Sequence, residues 1–519
     1  MTPTRPAALL ASLSLALAAF LPGHARADEG MWMPSQLPQI AAALRQAGYA
    51  GDPAALADLT AAPLNAVVRA GGGTGAFVSP DGLVLTNHHV AYGVIQYNST
   101  PQNDLIDAGY VAADRAAELP ANPDFRVLVT VGFDRVTDRV LAAARGRTGR
   151  AYHDAVDAAG KRIVAECERE PGVRCSVASM YYGTDFYRIR QLELRDVRLV
   201  YAPPRSIGNY GDEIDNFMWP RHTGDFTLLR AYVGPDGKPA AHSPQNVPYR
   251  PPSHLRVARQ GPREGDFAML AGYPGVTFRH RTAAEFAEQV EWTLPARVDV
   301  FDALIAAIEQ AGRQDAQPRT RYASQLQSLK NSRKRAAGEL EGLRRSDAVR
   351  RRAEDERAML EATRGGDARD IAALQRVLAA GSAVRERELL LGLLSSQTQL
   401  LRSALLLERL RIEAARPDAQ RESGYQQRDL ALIEGVLRQV QRRYDPAVEQ
   451  ALLRVLLARY QQLPEAQRLP EFDAAFGRTP AELDPALAAL YRGTALGDEA
   501  ARLAALEAAR QARALPADP

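Results

Sequence analysis

The hydrophobic pattern changes period near residue 280, and this constrains the fold more than any single motif. Before that point, short apolar runs alternate with Gly, Pro, Asp and Asn, as in "AFVSPDGLVLTN", "DFRVLVTVGFDRV", "LRDVRLVYAPP", "DFTLLRAYVGPDGKP" and "DFAMLAGYPG". Such runs read as strands and turns, with Pro80-Asp81-Gly82 as a hairpin turn, and many short strands suggest a barrel or sandwich. After it the period is helical. Leu390, Leu393, Leu394, Leu401, Ala404 and Leu405 recur at spacings of three, four and seven, which predicts one helix over 386–415 stopped by Pro417. Asp445 and Pro446 read as the N-cap and first residue of a further helix. The chain has 519 residues, enough for several domains.

Composition excludes some partners. The formal charge is +3, and the run "KNSRKRAAGELEGLRRSDAVRRRAEDERAMLEA" interleaves acids with its bases. A solvated helix face therefore fits better than a nucleic-acid patch. Residues 1–27 read as a secretory signal: Arg5, the apolar stretch "AALLASLSLALAAFL", then Ala25-Arg26-Ala27 as a cleavage site. Losing Arg5 and Arg26 takes the formal charge to about +1. No later segment is apolar and long enough to span a bilayer. Cys167 and Cys175 are the two cysteines. In an exported chain we expect them to pair around the turn at Pro171 and Gly172.

The stretch "GTGAFVSPDGLVLTNHHV" ends in His88 and His89 at the close of an apolar run, read as a strand. The overlapping "GGGTGA", which starts at Gly71, is not followed by Lys-Ser/Thr or by a helix opening, so a phosphate loop is rejected. An imidazole there serves as a general base if a carboxylate orients it and a nucleophile lies in reach. Asp225, after Gly224 and before another apolar strand, is the candidate carboxylate. A metal site at His88, His89 and Asp225 is disfavoured, because neighbouring strand residues face opposite ways.

With the stretches "DEGMWMPSQLP", "NYGDEIDNFMWPRHTGDFTLLRAYV", "AGYPGVTFRHRTA" and "LKNSRKRAAGELEGL", the mature sequence resembles the S46 family of serine dipeptidyl-peptidases, the dipeptidyl-peptidase 7 and 11 type. The resemblance implies a mixed fold: a chymotrypsin-like antiparallel β-barrel domain over 28–280 and an α-helical domain over 281–519. It implies a periplasmic exopeptidase that removes dipeptides from free N-termini, with no cofactor or metal, and a homodimer. By it, His89 is the base and Asp225 its orienting acid, while His88 and His222 are supporting or structural. Asn216, Phe217 and Asn331 hold the substrate ammonium; Phe217 stands where the family's "DNWMWP" motif has Trp, and so lacks an indole N–H.

The family's serine lies in a G-N-S-G-S-P-type motif near its C-terminus. This sequence holds no Gly-x-Ser-Gly: Ser382 sits in "AAGSAVRERE" and Ser423 in "RESGYQ". The expectation is a chain with base and acid but without the serine region or the pocket that selects the cleavage-side residue. Its second barrel would be incomplete and open at "DFAMLAGYPG", with unpaired strand edges at 255–275. The rival reading is an inactive homologue that only binds peptide N-termini.

Overall fold

The computed structural model of the chain describes residues 31–518, except Thr277 and Arg279. The proposed signal segment, 1–27, lies outside these residues. Residues 31–58 form a small unit of their own with Gly265–Phe267. In it, Pro34–Ile40 is a 3₁₀ turn, Ala41–Gln46 is a short helix, and the rings of Tyr49 and Phe267 meet at 5.1 Å.

In the larger unit, eleven strands among the described residues make one antiparallel sheet. They are β1 (Val67–Ala70), β2 (Gly73–Phe77), β3 (Leu83–Thr86), β4 (Tyr110–Val111), β5 (Leu119–Pro120), β6 (Val127–Arg135), β7 (Val173–Met180), β8 (Asp185–Leu194), β9 (Asp196–Ala202), β10 (Thr227–Val233) and β11 (Val247–Pro248). The main order is β4-β9-β10-β3-β2-β1-β6-β8-β7. Alternate residues of the central strands, such as Val68, Phe77, Val84, Val127, Leu199 and Leu229, meet in one core. Strands β1, β2, β3, β6, β8, β9 and β10 all contribute buried residues to this cluster. The β2–β3 hairpin turns as predicted. Gly82 has φ +70°, and a Cβ there would stand 2.7 Å from the Tyr249 carbonyl oxygen and 2.8 Å from that of Ala231.

Helices add to the sheet. The main ones are α1 (His88–Tyr97), α2 (Gly149–Cys167), α3 (Leu294–Gln314), α4 (Ala316–Arg345), α5 (Ala348–Ala362), α6 (Arg385–Gln397), α7 (Leu400–Ala414), α8 (Leu430–Arg443) and α9 (Pro446–Tyr460). Helices α3, α4, α6 and α9 share a core that includes Leu304, Leu329, Leu394 and Leu452, each contributing about 1.5–3 kcal/mol on burial. Helix α1 belongs to both parts. Ala91, Val94 and Ile95 join the sheet core, while the Gln96 amide donates to the carbonyls of Arg321 on α4 (3.1 Å) and Arg442 on α8 (3.0 Å). The mixed-charge run becomes the end of α4 and all of α5, and α5 buries no residue.

Four sequence expectations are corrected. His88 and His89 do not end a strand: β3 stops at Thr86, Asn87 is extended (φ −73°, ψ 148°), and the histidines open α1. The stretch "DFAMLAGYPG" forms no strand, and residues 255–275 present no strand edge. Their hydrogen bonds go instead to single groups, such as the Leu255 N–H to the Phe77 carbonyl (2.8 Å) and the Tyr273 N–H to the Thr74 hydroxyl (2.9 Å). The first half holds more helix than its strand pattern suggests. In particular, α2 packs Ala159 and Ile163 against Val136, Val140 and Phe186.

The predicted helix over 386–415 is broken between α6 and α7. Thr398 is extended there, and the N–H groups of Gln399 and Leu400 donate to the Glu449 carboxylate at 2.6 and 2.7 Å. A remote carboxylate thus caps α7 and ends the apolar period early. Asp445 caps α9 as expected, accepting from Ala447 and Val448. Cys167, ending α2, and Cys175, on β7, are joined as a disulfide with Cα atoms 6.2 Å apart.

Burial pushes the Glu449 carboxyl up to about 7 against those donated N–H groups. Glu449→Ala leaves two buried N–H groups unpaired. It is expected to cost about 2–5 kcal/mol, read by urea unfolding; a loss below about 0.5 kcal/mol contradicts the capping role.

Candidate active site

Strand register brings together groups far apart in sequence. Thr86 of β3 stands opposite Thr227 of β10, so the residues just beyond the two strand ends are neighbours. Asn87 and His89 follow one strand, and Asp225 precedes the other. Asp225 Oδ2 is 2.7 Å from His89 Nδ1, and Oδ1 accepts the His89 backbone N–H at 3.0 Å. The Asn87 amide donates to the Asp225 carbonyl at 3.1 Å and to Oδ2 at 3.3 Å. Arg221 Nη2 stands 3.4 Å from the same oxygen.

The Asp225 carboxylate therefore caps α1, satisfying a first-turn N–H where the Asn87 side chain makes no cap bond to its own helix. The same group fixes the imidazole. The Asp225 side chain is 9% exposed and that of His89 50%. Burial pushes the Asp225 carboxyl up. The hydrogen bond and charge of the His89 ring, its backbone N–H and the Arg221 charge outweigh this and hold it below the usual range. Among the described residues, no side chain hydrogen-bonds His89 Nε2.

His88 has the opposite environment. Consecutive helical residues differ by about 100° in direction, so its ring turns into the protein and is 1% exposed. It meets Tyr92 edge-on at 5.5 Å, and a Cβ on Gly208 would lie 2.6 Å from Cδ2. Neither ring nitrogen has a partner among the described residues, and burial takes its pKa down to about 4. The His222 backbone N–H donates to Asp215 at 2.6 Å.

His89 opens onto a cavity of about 480 Å³. One wall carries Asn216, Phe217, Met218 and Arg221 from the loop before β10; α4 supplies Ser324, Gln327, Ser328 and Asn331; Tyr92 and Asn209 complete it. Asn216 and Asn331, 115 positions apart, meet directly: the Asn216 amide donates to Asn331 Oδ1 at 2.9 Å. Phe217 is exposed, with φ +58°, a left-handed conformation that costs a non-glycine residue about 1–2 kcal/mol. Sequence reading named Asn216, Phe217 and Asn331 but missed Tyr92, Met218, Arg221 and the rest of the α4 face. The spacing 324, 327, 328, 331 is the one signal that could have found that face. No helix among the described residues is long and apolar enough to cross a membrane.

An antiparallel sheet that presents a carboxylate-oriented histidine at a cleft supplies the arrangement of an oriented general base. The Peptidase S46 family model matches residues 27–519, and the chain belongs to that family. An Asp/Glu-specific dipeptidyl-peptidase of Shewanella putrefaciens is 38% identical over 491 residues, covering 94% of this chain and 66% of the relative. A dipeptidyl-peptidase 7 of Capnocytophaga gingivalis is 35% identical over 339 residues, covering 64% of this chain and 47% of the relative. The chain thus spans between about half and two thirds of the length of these relatives. The crystal structure of Porphyromonas endodontalis DPP11 in complex with the dipeptide Arg-Glu matches with TM-score 0.72 and 27% identity, covering 94% of this chain and 72% of that one.

Two outcomes test this geometry. Below pH 6.5 the unfolded chain protonates His88, while the folded ring resists until about pH 4. Stability from this group is complete above pH 6.5 and is lost as pH falls to 4, about 3 kcal/mol in all. His88→Gln should remove that part of the acid slope in urea unfolding, whatever its own cost at pH 8; an unchanged slope contradicts it. Asp225→Asn should abolish a low-field imidazole N–H signal that His89→Gln also abolishes, and should cost about 1 kcal/mol of stability through the lost cap.

Proposed function

We propose that these residues carry the base, the orienting acid and the amine anchor of a serine dipeptidyl-peptidase acting on peptides with free N-termini. The observation that carries this is the His89–Asp225 pair, 2.7 Å apart, at a cavity that also holds the Asn216–Asn331 amide pair. In this reading an ammonium donates to the amide oxygens, and Phe217 lends apolar contact. Fixing the amine at one end of the cleft and the base at the other sets how many residues fit between, which is what a dipeptide cutter needs.

A serine hydroxyl attacks the carbonyl after the second residue. His89 takes its proton and then returns it to the leaving amine, and Asp225 holds the ring and stabilises the imidazolium. The 519 residues contain no Gly-x-Ser-Gly. With no side chain on His89 Nε2 among the described residues, we place the serine and its oxyanion donors outside the described residues. The same observation supports the second reading, a protein that binds peptide N-termini without cutting them.

The 519-residue chain is expected to release no dipeptide from dipeptidyl reporter substrates, whereas the chain extended with the family's C-terminal region does so, dependent on His89. Release by the short chain sinks the placement of the serine. Inactivity of the extended chain sinks the peptidase reading. A periplasmic location after loss of residues 1–27 and a homodimer belong to the same proposal. N-terminal sequencing of the periplasmic fraction and light scattering check them.

A further inference from the structure

The proposed chemistry uses His89 and Asp225, yet the residues just before them, His88 and Gly224, meet on one short helical turn, Arg205–Gly208. The Gly224 N–H donates to the Ile207 carbonyl at 2.9 Å. On the other side the buried His88 ring lies against Gly208. A Cβ on Gly208 would stand 2.6 Å from Cδ2, 2.7 Å from Cγ and 2.8 Å from Nε2. The turn is thus held between the immediate neighbours of the pair. It is also tied down at both ends: the Gly208 N–H donates to the Pro204 carbonyl at 2.9 Å, and the Thr223 hydroxyl donates to the Tyr210 carbonyl at 2.8 Å.

The next residue carries the position of the turn into the cavity. Asn209 lines it together with His89 and Asn216. Its amide donates to Asp212 at 3.1 Å and to Gln327 of α4 at 3.5 Å. The turn therefore meets α1 through His88, the approach to β10 through Gly224, and the α4 wall through Asn209. Gly208 does not adopt a positive φ, so the glycine supplies clearance and not a special backbone conformation. A methyl group there would be about 1 Å short of ordinary contact with the ring. The ring has no room to swing, because it is 1% exposed and meets Tyr92 edge-on. Close packing leaves two responses: α1 moves or the turn moves.

We propose that the contact of His88 with Gly208 is a positioning device, which sets the distance between the His89–Asp225 pair and the wall that carries Asn209 and Asn216. His88 acts as a flat wedge and Gly208 as its seat. Neither touches the substrate, so both are positioning residues. For its functional consequence the inference rests on the reading of the cavity as the site for peptide N-termini; the coupling of Gly208 to His89 through His88 does not.

A double-mutant cycle on the 519-residue chain tests this. Calorimetry follows binding of Ala-Ala and N-acetyl-Ala-Ala, and NMR follows the His89 ring C–H resonance, assigned by its loss in His89→Gln. Gly208→Ala, measured where it is fully folded, is expected to weaken Ala-Ala binding about tenfold and to shift the His89 resonance, since small misplacements in a site are costly. In the His88→Ala background, where the ring is gone, the same Gly208→Ala change is expected to alter affinity less than about twofold and to leave the resonance in place. A glycine needed for folding alone lowers the melting temperature and moves neither readout; that result overturns the inference. Equal effects of Gly208→Ala with and without the His88 ring overturn it too, since nothing then passes through their contact. Should the unaltered chain bind neither dipeptide, or bind both alike, the amine anchor falls, and the His89 resonance alone decides the coupling.

Discussion

The Asp225 carboxylate is the group on which the site depends. One oxygen takes the first-turn N–H of α1 and the other takes the His89 ring. Helix start and imidazole direction are therefore set by a single side chain, and neither can shift alone. A carboxylate at a helix N-terminus is favoured by the dipole, and the His89 and Arg221 charges add to that. Together they outweigh the cost of holding the group 9% exposed. The adjacent His88 receives no such help and stays neutral in the core.

This arrangement ties chemistry to architecture. The register of β3 with β10 brings Asp225 to α1, and Gln96, two turns after His89, ties α1 to backbone carbonyls of α4 and α8. The sheet thus places His89, and the helices place the amide and hydroxyl face that confronts it. The Asn216–Asn331 bond spans the same boundary. A disturbance of that packing moves the Asn216–Asn331 pair relative to His89.

The sequence carried much of this in legible form. The period change separated strand from helix, Pro80-Asp81-Gly82 marked the hairpin, and Asp445-Pro446 marked the start of α9. His89, Asp225, Asn216 and Asn331 were named because their motifs are distinctive. The failures share one cause, a partner remote in sequence. Leu390 to Leu405 read as one helix because the Glu449 cap comes from α9. His88 and His89 read as strand because the cap on their helix lies 136 positions away. "DFAMLAGYPG" has strand composition but no adjacent ladder among the described residues to join.

By itself, then, the sequence determined the sheet-then-helix order, which is written in local composition and period, and its motifs marked the family by resemblance. Only the tertiary structure decided which of two adjacent histidines faces the cleft, that one carboxylate serves both helix and imidazole, and that Asn216 meets Asn331. Those facts depend on strand register and on helices crossing, and contacts of that kind leave no periodic trace along the chain.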